Sequence, residues 1–466
     1  MRYISTRGQA PALPFDEVLL TGLARDGGLY VPESWPHFSA AEIEALAGLS
    51  YGEMAARVTW PFVYGTMERD AFFALMQDAY AGFDHKAVAP LKQLGPQAWV
   101  MELFHGPTLS FKDYALQVLG RLLDQILRKR GQRVTIVGAT SGDTGSAAID
   151  AVKGRAAIDI FMLHPKGRVS EVQRRQMTTV ASANVFNIAV EGTFDDCQDL
   201  VKACFNDLAF RDRLSLTAVN SINFARIMAQ IAYYFWAAVA LGAPERKLGF
   251  AVPTGNFGNV YSGYAARAMG LPIEHFHVGS NRNDILTRFF ASGTMKIEGV
   301  APSLSPSMDI QVSSNFERLL FDLYDRQGAA VAESMAGFRS NGSFAVGANA
   351  LATARKLFSG YRLDDRQTLA AMAEIRRERG EIADPHSAIG ISGALKASAD
   401  MPVVALATAH PAKFPDAVRQ AIGVTPELPP ALADLDSRPE RCADLPNDIA
   451  ALKDYMLRHA SLKGAA

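Results

Sequence analysis

Three polar segments follow directly on apolar runs that have the length of β-strands. They cover residues 105–113, 137–146 and 253–259. In open α/β sheets, ligands bind where strands end and helices begin, because loop amides and the positive N-termini of helices converge there. Anion binding or catalysis is therefore expected first at these three segments.

Residues 137–146 form the sequence VGATSGDTGS. The glycines free the backbone to wrap around an anion, and Thr140, Ser141 and Thr144 supply hydroxyl donors. The same composition also suits a tight strand-to-helix turn that is capped by Ser and Thr side chains. This segment alone leaves both interpretations open.

Residues 253–259 form the sequence PTGNFGN. Two glycines and two asparagines tolerate left-handed backbone geometry, which suits a nest of amides around a phosphate. Neither this segment nor the one before it carries the lysine of a nucleotide-binding P-loop, so nucleotide hydrolysis is disfavoured.

Residues 105–113 form the sequence HGPTLSFKD. Ser110 and Asp113 have the spacing of a capping box, which places Lys112 in the first turn of the helix that follows. A cation there opposes the helix dipole, so the neutral and nucleophilic form of the amine is favoured. The alternative is a solvated surface lysine.

An activatable lysine and two phosphate-type loops together suggest pyridoxal phosphate as a cofactor. The lysine would bind its aldehyde, one loop would bind its phosphate, and the other loop would bind a substrate anion.

The elements that must position these segments alternate between strand and helix. The predicted strands are residues 98–104, 133–137, 158–163, 185–190, 248–252, 273–278 and 403–406. Helical patterns follow these strands. The first ends near residue 130, the next three cover 145–152, 169–177 and 222–241, and the last starts at residue 260. This order predicts an α/β protein with one or two doubly wound, mostly parallel sheets.

Three further regions complete the expected organisation. Residues 1–95 are expected to form a mainly helical N-terminal unit, followed by α/β domains at 96–245 and 246–466. A helical insertion is expected at about 315–380, and a surface connection at 425–446.

Composition favours an ordinary globular protein that acts on small molecules. The 466 residues are 49% hydrophobic and 20% charged, and 47 Lys+Arg nearly balance 48 Asp+Glu. A formal charge of -1 argues against a broad basic face for nucleic acid. The three cysteines match no zinc pattern, so no metal is expected.

Membrane and export features are not evident in the sequence. The longest apolar run, residues 231–241, is shorter than the roughly 20 residues that span a bilayer. The first residues lack the pattern of an export signal, so a cytoplasmic protein is expected.

Matches along almost the whole chain resemble the threonine synthases, a family of fold type II pyridoxal-phosphate enzymes. Besides the lysine segment, they are YISTRG at 3–8, DGGLYVP at 26–32, SGDTG at 141–145, NSIN at 220–223, GNFGN at 255–259 and AHPAKF at 409–414. The resemblance implies two doubly wound sheets with the helical unit and the insertion described above.

The resemblance also implies a role for each site residue. Lys112 would bind the cofactor covalently and then move protons at substrate carbons. Gly255, Asn256, Phe257, Gly258 and Asn259 would hold the cofactor phosphate, and Thr408 would hydrogen-bond the pyridine nitrogen. The expected substrate-binding residues are Thr140, Ser141, Thr144, Asn220, Ser221 and Arg226.

Arg226 is also singled out by its own position, because it lies on an otherwise apolar helix. A buried guanidinium must be paired or bound to a ligand. An internal salt bridge is the alternative to substrate phosphate.

A second rank of residues lies beside the proposed site. Asp143 stands where many fold type II enzymes have Asn, and its role is left open between a group near the bound anion and a group that holds the loop. Ser110, His105 and Lys413 complete this rank. His105 and His410 are expected to be structural rather than proton carriers, and Lys413 is expected to be solvated.

The implied reaction converts O-phospho-L-homoserine and water to L-threonine and phosphate, the last step of threonine biosynthesis. One alternative is a threonine-synthase-like phospho-lyase that releases a keto acid. The other is a non-catalytic phosphoamino-acid binding protein. A monomer or homodimer is expected.

Overall fold

Strands and helices alternate along most of the chain, as the sequence predicts. The structure is a computed structural model that describes residues 1–218, 221–397 and 400–461. Its contacts separate two units: unit 1 comprises Met1–Phe111 and Ser221–Pro426, and unit 2 comprises Lys112–Asn220 and Glu427–Ala466.

Unit 1 is built on a six-stranded sheet. In spatial order its strands are Phe358–Arg362, Ile273–Ser280, Leu248–Pro253, Val403–Ala407, Ala98–Glu102 and Leu91–Gln93. Neighbouring strands are parallel except for Leu91–Gln93, which is antiparallel to Ala98–Glu102. Every residue of Leu248–Pro253 and Val403–Ala407 is buried, which is why both strands have continuous apolar sequences.

Two small antiparallel ribbons and a set of helices complete unit 1. Tyr3–Ser5 pairs with Tyr30–Pro32, and Thr294–Lys296 pairs with Ser343–Ala345. The α-helices are Phe15–Thr21, Ala40–Glu44, Tyr51–Val63, Arg69–Tyr80, Phe224–Ala240, Gly258–Ala268, Ile285–Ser292, Phe316–Leu323, Gly328–Asn341, Ala348–Leu357, Asp365–Arg379, Pro385–Ala397 and Pro415–Ile422.

Unit 2 is built on a five-stranded, fully parallel sheet. In spatial order its strands are Ala443–Leu445, Val185–Val190, Ile158–Pro165, Val134–Ala139 and Leu216–Thr217. Its α-helices are Lys112–Arg130, Asp143–Val152, Glu171–Thr178, Phe194–Asn206, Leu208–Leu214 and Ile449–His459. All eight residues of the central strand Ile158–Pro165 are buried.

The predicted α/β class with two mostly parallel sheets is confirmed. The expected domains follow chain order, whereas each observed unit joins stretches that are distant in the sequence. In unit 2, the strand Ala443–Leu445 pairs with Val185–Val190. Within the surface connection expected at 425–446, residues Ala443–Leu445 form an edge strand of the unit 2 sheet.

The insertion expected to be helical contains an edge strand of the main sheet. Phe358–Arg362 pairs in parallel with Ile273–Ser280 and is followed by the helix Asp365–Arg379. Its sequence, FSGYR, is short and has no continuous apolar run, so it gives no strand pattern. Residues 1–95, expected to form a mainly helical unit, belong to unit 1 and contain four helices as well as the ribbon formed by Tyr3–Ser5 and Tyr30–Pro32.

Within the described ranges, no helix combines the length and the apolar character that crossing a bilayer demands.

Two adjacent histidines make the stability of the unit 1 sheet depend on pH. His275 and His277 lie on one strand with ring centroids 4.7 Å apart, and both contact the Ser359 hydroxyl, at 2.9 and 3.2 Å. Burial, and to a lesser degree the charge of His275, lowers the pKa of His277 to about 4. The unfolded chain binds this proton near pH 6.5, so stability that is present above pH 6.5 is lost as the pH falls toward 4.

We therefore expect His277→Gln to make the loss of thermal stability between pH 6.5 and 4 less steep, because one titrating group is removed. Thermal unfolding midpoints across pH 4–7 measure the effect, and the exposed His37→Gln is the control. A His277→Gln profile parallel to that of the unaltered protein would refute this assignment.

Candidate active site

Lys112 is the first residue of the helix Lys112–Arg130, in agreement with its predicted place in the first turn. The residue before it, Phe111, donates its amide N–H to the carbonyl oxygen of Thr408 over 2.9 Å. The lysine is only 8% exposed, so the alternative of a solvated surface lysine is wrong.

Asp143 is the ion-pair partner of this lysine. The Nζ atom of Lys112 donates to Oδ2 of Asp143 over 3.3 Å, and both side chains are buried. The other carboxylate oxygen accepts from Nε2 of Gln173 over 2.8 Å, which ties the loop to the helix Glu171–Thr178. Asp143 therefore holds both the lysine amine and the loop. Gln173 helps to hold the loop, and no sequence pattern predicts this role.

The segment at 137–146 is a tight turn whose own hydroxyl organises it. Thr140 Oγ1 accepts from the amides of Gly142 and Gly145, over 3.0 and 2.9 Å. Gly142 has a φ of 141°, and a Cβ on Gly145 would lie 2.4 Å from Thr140 Cγ2, so both positions require glycine. Ser141 is exposed and Thr144 half-buried, which leaves these two hydroxyls as the accessible donors.

The loop at 253–259 reaches left-handed geometry at an unexpected residue. Phe257 has a φ of 64°, whereas left-handed geometry was expected at the glycines and asparagines. Its ring is fully buried and packs at 5.3 Å from Phe316 and 5.9 Å from Phe358, which holds the backbone in this less favourable region.

The N–H groups of this loop are available at the start of a helix. Asn256 Oδ1 accepts from the amide of Gly258, where the helix Gly258–Ala268 begins. Among the described residues, the amides of Asn256, Phe257 and Asn259 have no acceptor. Amides at a helix N-terminus bind phosphate groups.

Asn259 connects this loop to the helix Phe224–Ala240. Its Oδ1 accepts from the hydroxyls of Tyr233 and Tyr234, over 2.7 and 2.9 Å. Its buried Nδ2 has no partner among the described residues. The two tyrosines were missed, because a pair of aromatics on an apolar helix gives no functional pattern in the sequence.

Arg226 lies on the same helix and is 5% exposed. Among the described residues, its buried Nε has no hydrogen-bond partner and no carboxylate pairs with its guanidinium. Burial lowers its pKa to about 10, so it stays charged at neutral pH. The internal salt bridge weighed from the sequence is therefore not found in the described part of the chain.

The turn that precedes this helix is only partly described. Asn220 lies outside the described residues. Ser221 is half-buried, and its carbonyl oxygen accepts from Nδ2 of Asn315 over 3.3 Å. Asn223 caps the helix by accepting from the amide of Ala225 over 3.1 Å.

Thr408 follows the strand Val403–Ala407 directly. Its amide donates to Oγ of Ser387 over 2.9 Å, and its carbonyl accepts from Phe111. The backbone is thus held on both sides, and the hydroxyl makes no hydrogen bond to a described residue.

Two of the second-rank residues differ from expectation. Ser110 Oγ is buried and has no hydrogen-bond partner in the described part of the chain, so the predicted capping box is wrong. The helix begins at Lys112, two residues after this serine. Lys413 is fully buried rather than solvated, and its Nζ donates to the carbonyl oxygen of Thr108 over 2.6 Å.

The two histidines beside these residues have protein partners. His105 Nε2 lies 2.7 Å from a carboxylate oxygen of Glu102. Burial alone would raise the pKa of Glu102, but hydrogen bonds from His105 and Lys92 outweigh it and lower the pKa. Burial, followed by the charge of His105, lowers the pKa of His410 to about 4, so this ring is neutral near pH 7.

Comparison with known proteins agrees with this geometry. Three family models match successive parts of the chain: Threonine synthase N terminus at residues 2–80, Pyridoxal-phosphate dependent enzyme at 85–337, and Threonine synthase, C-terminal at 387–456. Threonine synthase of Pseudomonas aeruginosa is 56% identical over 464 residues, which is 99% of each chain. The chain belongs to the threonine synthase family.

Other members show the same relationship at different distances. The crystal structure of PLP-bound threonine synthase from Brucella melitensis matches with a TM-score of 0.98 and 52% identity, covering 99% of this chain and 100% of that one. Threonine synthase-like 2 of Rattus norvegicus is 35% identical over 458 residues, covering 96% of this chain and 94% of the relative. The protein is a fold type II enzyme with pyridoxal phosphate as its cofactor.

The described residues fit this cofactor. The family membership predicts a buried amine, a phosphate cradle and a neutral donor for the ring nitrogen. Lys112 would supply the amine, and the Thr408 hydroxyl would be the neutral donor. The amides of Asn256, Phe257 and Asn259, which have no acceptor among the described residues, would bind the phosphate.

The unpaired charge of Arg226 gives a testable stability effect. Burial lowers the pKa of this guanidinium to about 10, so the buried charge destabilises the ligand-free protein. Arg226→Met, of similar volume, should therefore raise the free energy of unfolding of the cofactor-free protein by about 1–3 kcal/mol. Urea unfolding in phosphate-free buffer measures this change.

Two comparisons make this prediction specific. Arg226→Lys keeps the charge and should not share the gain, and added phosphate should stabilise the unaltered protein more than Arg226→Met. A ligand-free Arg226→Met protein that is no more stable than the unaltered one would contradict the interpretation.

Proposed function

We propose that this chain catalyses the pyridoxal-phosphate-dependent conversion of O-phospho-L-homoserine and water to L-threonine and phosphate. The observation that carries the proposal is the buried Arg226 guanidinium, which has no carboxylate partner among the described residues. A charge held in this way requires an anionic ligand, and a phosphate ester offers bidentate oxygens that match the guanidinium.

Arg226 and Ser221 bind the substrate phosphate in this proposal, with Asn220 as the third member from the sequence. Binding at the ester would also favour its departure, because charge grows on the phosphate oxygens as the bond breaks. Ser141 and Thr144 bind the substrate carboxylate, and the Thr140 hydroxyl keeps their loop in shape.

When bound, pyridoxal phosphate supplies an aldehyde for the substrate amine and a conjugated ring that delocalises carbanionic charge. Lys112 removes and returns protons at the substrate Cα and Cβ. Asp143 sets the position of the amine in the cofactor-free protein and keeps the Thr140 loop attached to Gln173.

The loop from Gly255 to Asn259 holds the cofactor phosphate through its amides. Thr408 would donate its hydroxyl to the pyridine nitrogen, and the hydrogen bonds of its N–H and C=O groups fix its backbone. A neutral donor leaves the ring nitrogen without a full charge.

Two alternatives compete with the synthase reaction. The phospho-lyase reaction uses the same residues but releases a keto acid, and the higher identity to a protein named Threonine synthase than to Threonine synthase-like 2 favours the synthase. A non-catalytic binding protein, in which Lys112 pairs with a bound anion, is disfavoured because the lysine already has a carboxylate partner. A cytoplasmic location and a monomeric or dimeric state stay predictions.

Product analysis tests the proposal. Purified, cofactor-loaded protein is incubated with O-phospho-L-homoserine, and phosphate, threonine and α-ketobutyrate are measured in the same sample. We expect equal amounts of phosphate and threonine, and loss of both in Lys112→Ala. Lys129→Ala is the matched control, because this lysine is exposed at the other end of the same helix.

Two outcomes would contradict the proposal. Phosphate accompanied by keto acid alone would establish a lyase, and phosphate release that survives Lys112→Ala would remove this lysine from the chemistry.

A further inference from the structure

Two sequence segments of the family take no part in the proposed reaction, namely 3–8 and 26–32. Both contact one short stretch far along the chain. Thr6 Oγ1 donates to a carboxylate oxygen of Glu317 over 2.6 Å, and Arg7 donates to the same carboxylate over 3.1 and 2.9 Å. Arg318 Nε donates to the carbonyl oxygen of Tyr30 over 3.1 Å.

This stretch, Ser313 to Arg318, is called the brace here. On one side it holds the cofactor-phosphate loop by its carbonyl oxygens. Ser313 Oγ donates to the carbonyl of Gly255 over 2.7 Å, and the amide of Asn315 donates to the carbonyl of Asn256 over 3.0 Å. The Asn315 side chain also packs against Gly258, where a Cβ would lie 3.2 Å from its Nδ2.

The bonds to these carbonyls also set the direction of the amides. In a planar trans peptide, the C=O and the N–H point in opposite directions. The carbonyls of Gly255 and Asn256 share their peptide units with the amides of Asn256 and Phe257. Holding the carbonyls against the brace therefore turns these two amides away from it, and they are amides that have no acceptor among the described residues.

On its other side the brace holds the turn before Arg226. Asn315 Nδ2 donates to the carbonyl of Ser221 over 3.3 Å, and Arg318 Nη2 donates to the carbonyl of Ile222 over 2.6 Å. Arg318 is fully buried and also donates to Oδ1 of Asn315, so the two side chains support each other. The turn then enters the helix that carries Arg226.

We propose that the brace positions both phosphate sites, with Ser313 acting on the cofactor-phosphate loop and Asn315 with Arg318 acting on the substrate-phosphate turn. These are positioning residues, since they act through backbone carbonyls of the binding segments. The inference rests on the proposed function, which places phosphate groups at the loop and at Arg226.

Paired substitutions separate the two sides of the brace. Ser313→Ala removes only the donor to Gly255. Asn315→Asp keeps the size and the acceptor for Arg318 but replaces the donor to Ser221 with an oxygen. Ser314→Ala is the matched control, because this neighbouring serine makes no hydrogen bond to a described residue.

Two binding measurements read the two sites without using activity. Fluorescence titration of the cofactor-free protein gives the Kd for pyridoxal phosphate. Calorimetric titration of the cofactor-loaded protein with inorganic phosphate gives the Kd at the substrate-phosphate site.

We expect Ser313→Ala to raise the Kd for pyridoxal phosphate about three- to tenfold and to leave the Kd for inorganic phosphate unchanged, as loss of one hydrogen bond predicts. Asn315→Asp should raise the Kd for inorganic phosphate by a similar factor, with a smaller effect on cofactor binding. Ser314→Ala should change neither.

A role limited to stability would lower the unfolding midpoint and leave both Kd values unchanged, and that result would overturn the inference. Equal changes of both Kd values in both variants would also overturn it. If Asn315→Asp does not fold, Ser313→Ala still tests the proposal. An unchanged Kd for pyridoxal phosphate in Ser313→Ala would contradict a positioning role of the brace.

Arg226→Met distinguishes this inference from the proposed function. If it binds inorganic phosphate as the unaltered protein does, the substrate-phosphate site itself is wrongly placed. If it loses phosphate binding while Asn315→Asp and Ser313→Ala bind normally, only the brace is wrong.

Discussion

A guanidinium buried without a carboxylate partner among the described residues is the constraint on which the rest of the site depends. Arg226 stays charged at neutral pH although burial lowers its pKa to about 10. The surrounding helix, Phe224–Ala240, is apolar enough to be buried on almost every face, and Asn223 caps its first turn. Within the part of the chain that the structure describes, this charge has no partner, and an anionic ligand would relieve the cost of burying it.

Two buried cations, one in each unit, are held in different ways, and the difference matches their proposed roles. Lys112 has an internal partner, Asp143, so its amine is kept in place in the cofactor-free protein. Arg226 has none among the described residues and is available for a dianion. The backbone of the cofactor-phosphate loop shows a similar difference. The carbonyl oxygens of Gly255 and Asn256 accept hydrogen bonds from the protein itself, whereas amides of the same loop have no acceptor among the described residues.

Much of this arrangement could be predicted from the sequence, because its causes are local. Buried parallel strands produce continuous apolar runs such as Val403–Ala407, and glycine-rich segments mark the loops that follow them. The features that were missed depend on distant contacts. Phe257 adopts left-handed geometry because rings at positions 316 and 358 hold it, and Ser110 lacks its predicted capping role because the helix begins later. The brace joins residues far apart in the chain, so no local pattern reveals it.

The central claim, that Arg226 is kept unpaired for a substrate phosphate, is tested most directly by leaving-group selectivity. kcat/KM is measured for O-phospho-L-homoserine and O-acetyl-L-homoserine in the unaltered protein and in Arg226→Met. Removing one partner of a buried charged contact costs at least about 2 kcal/mol, so the phospho ester should lose about thirtyfold or more. The acetyl ester, which carries no charge at this end, should change little, and the preference between the two should collapse. An equal loss for both esters, or none for the phospho ester, would contradict the account.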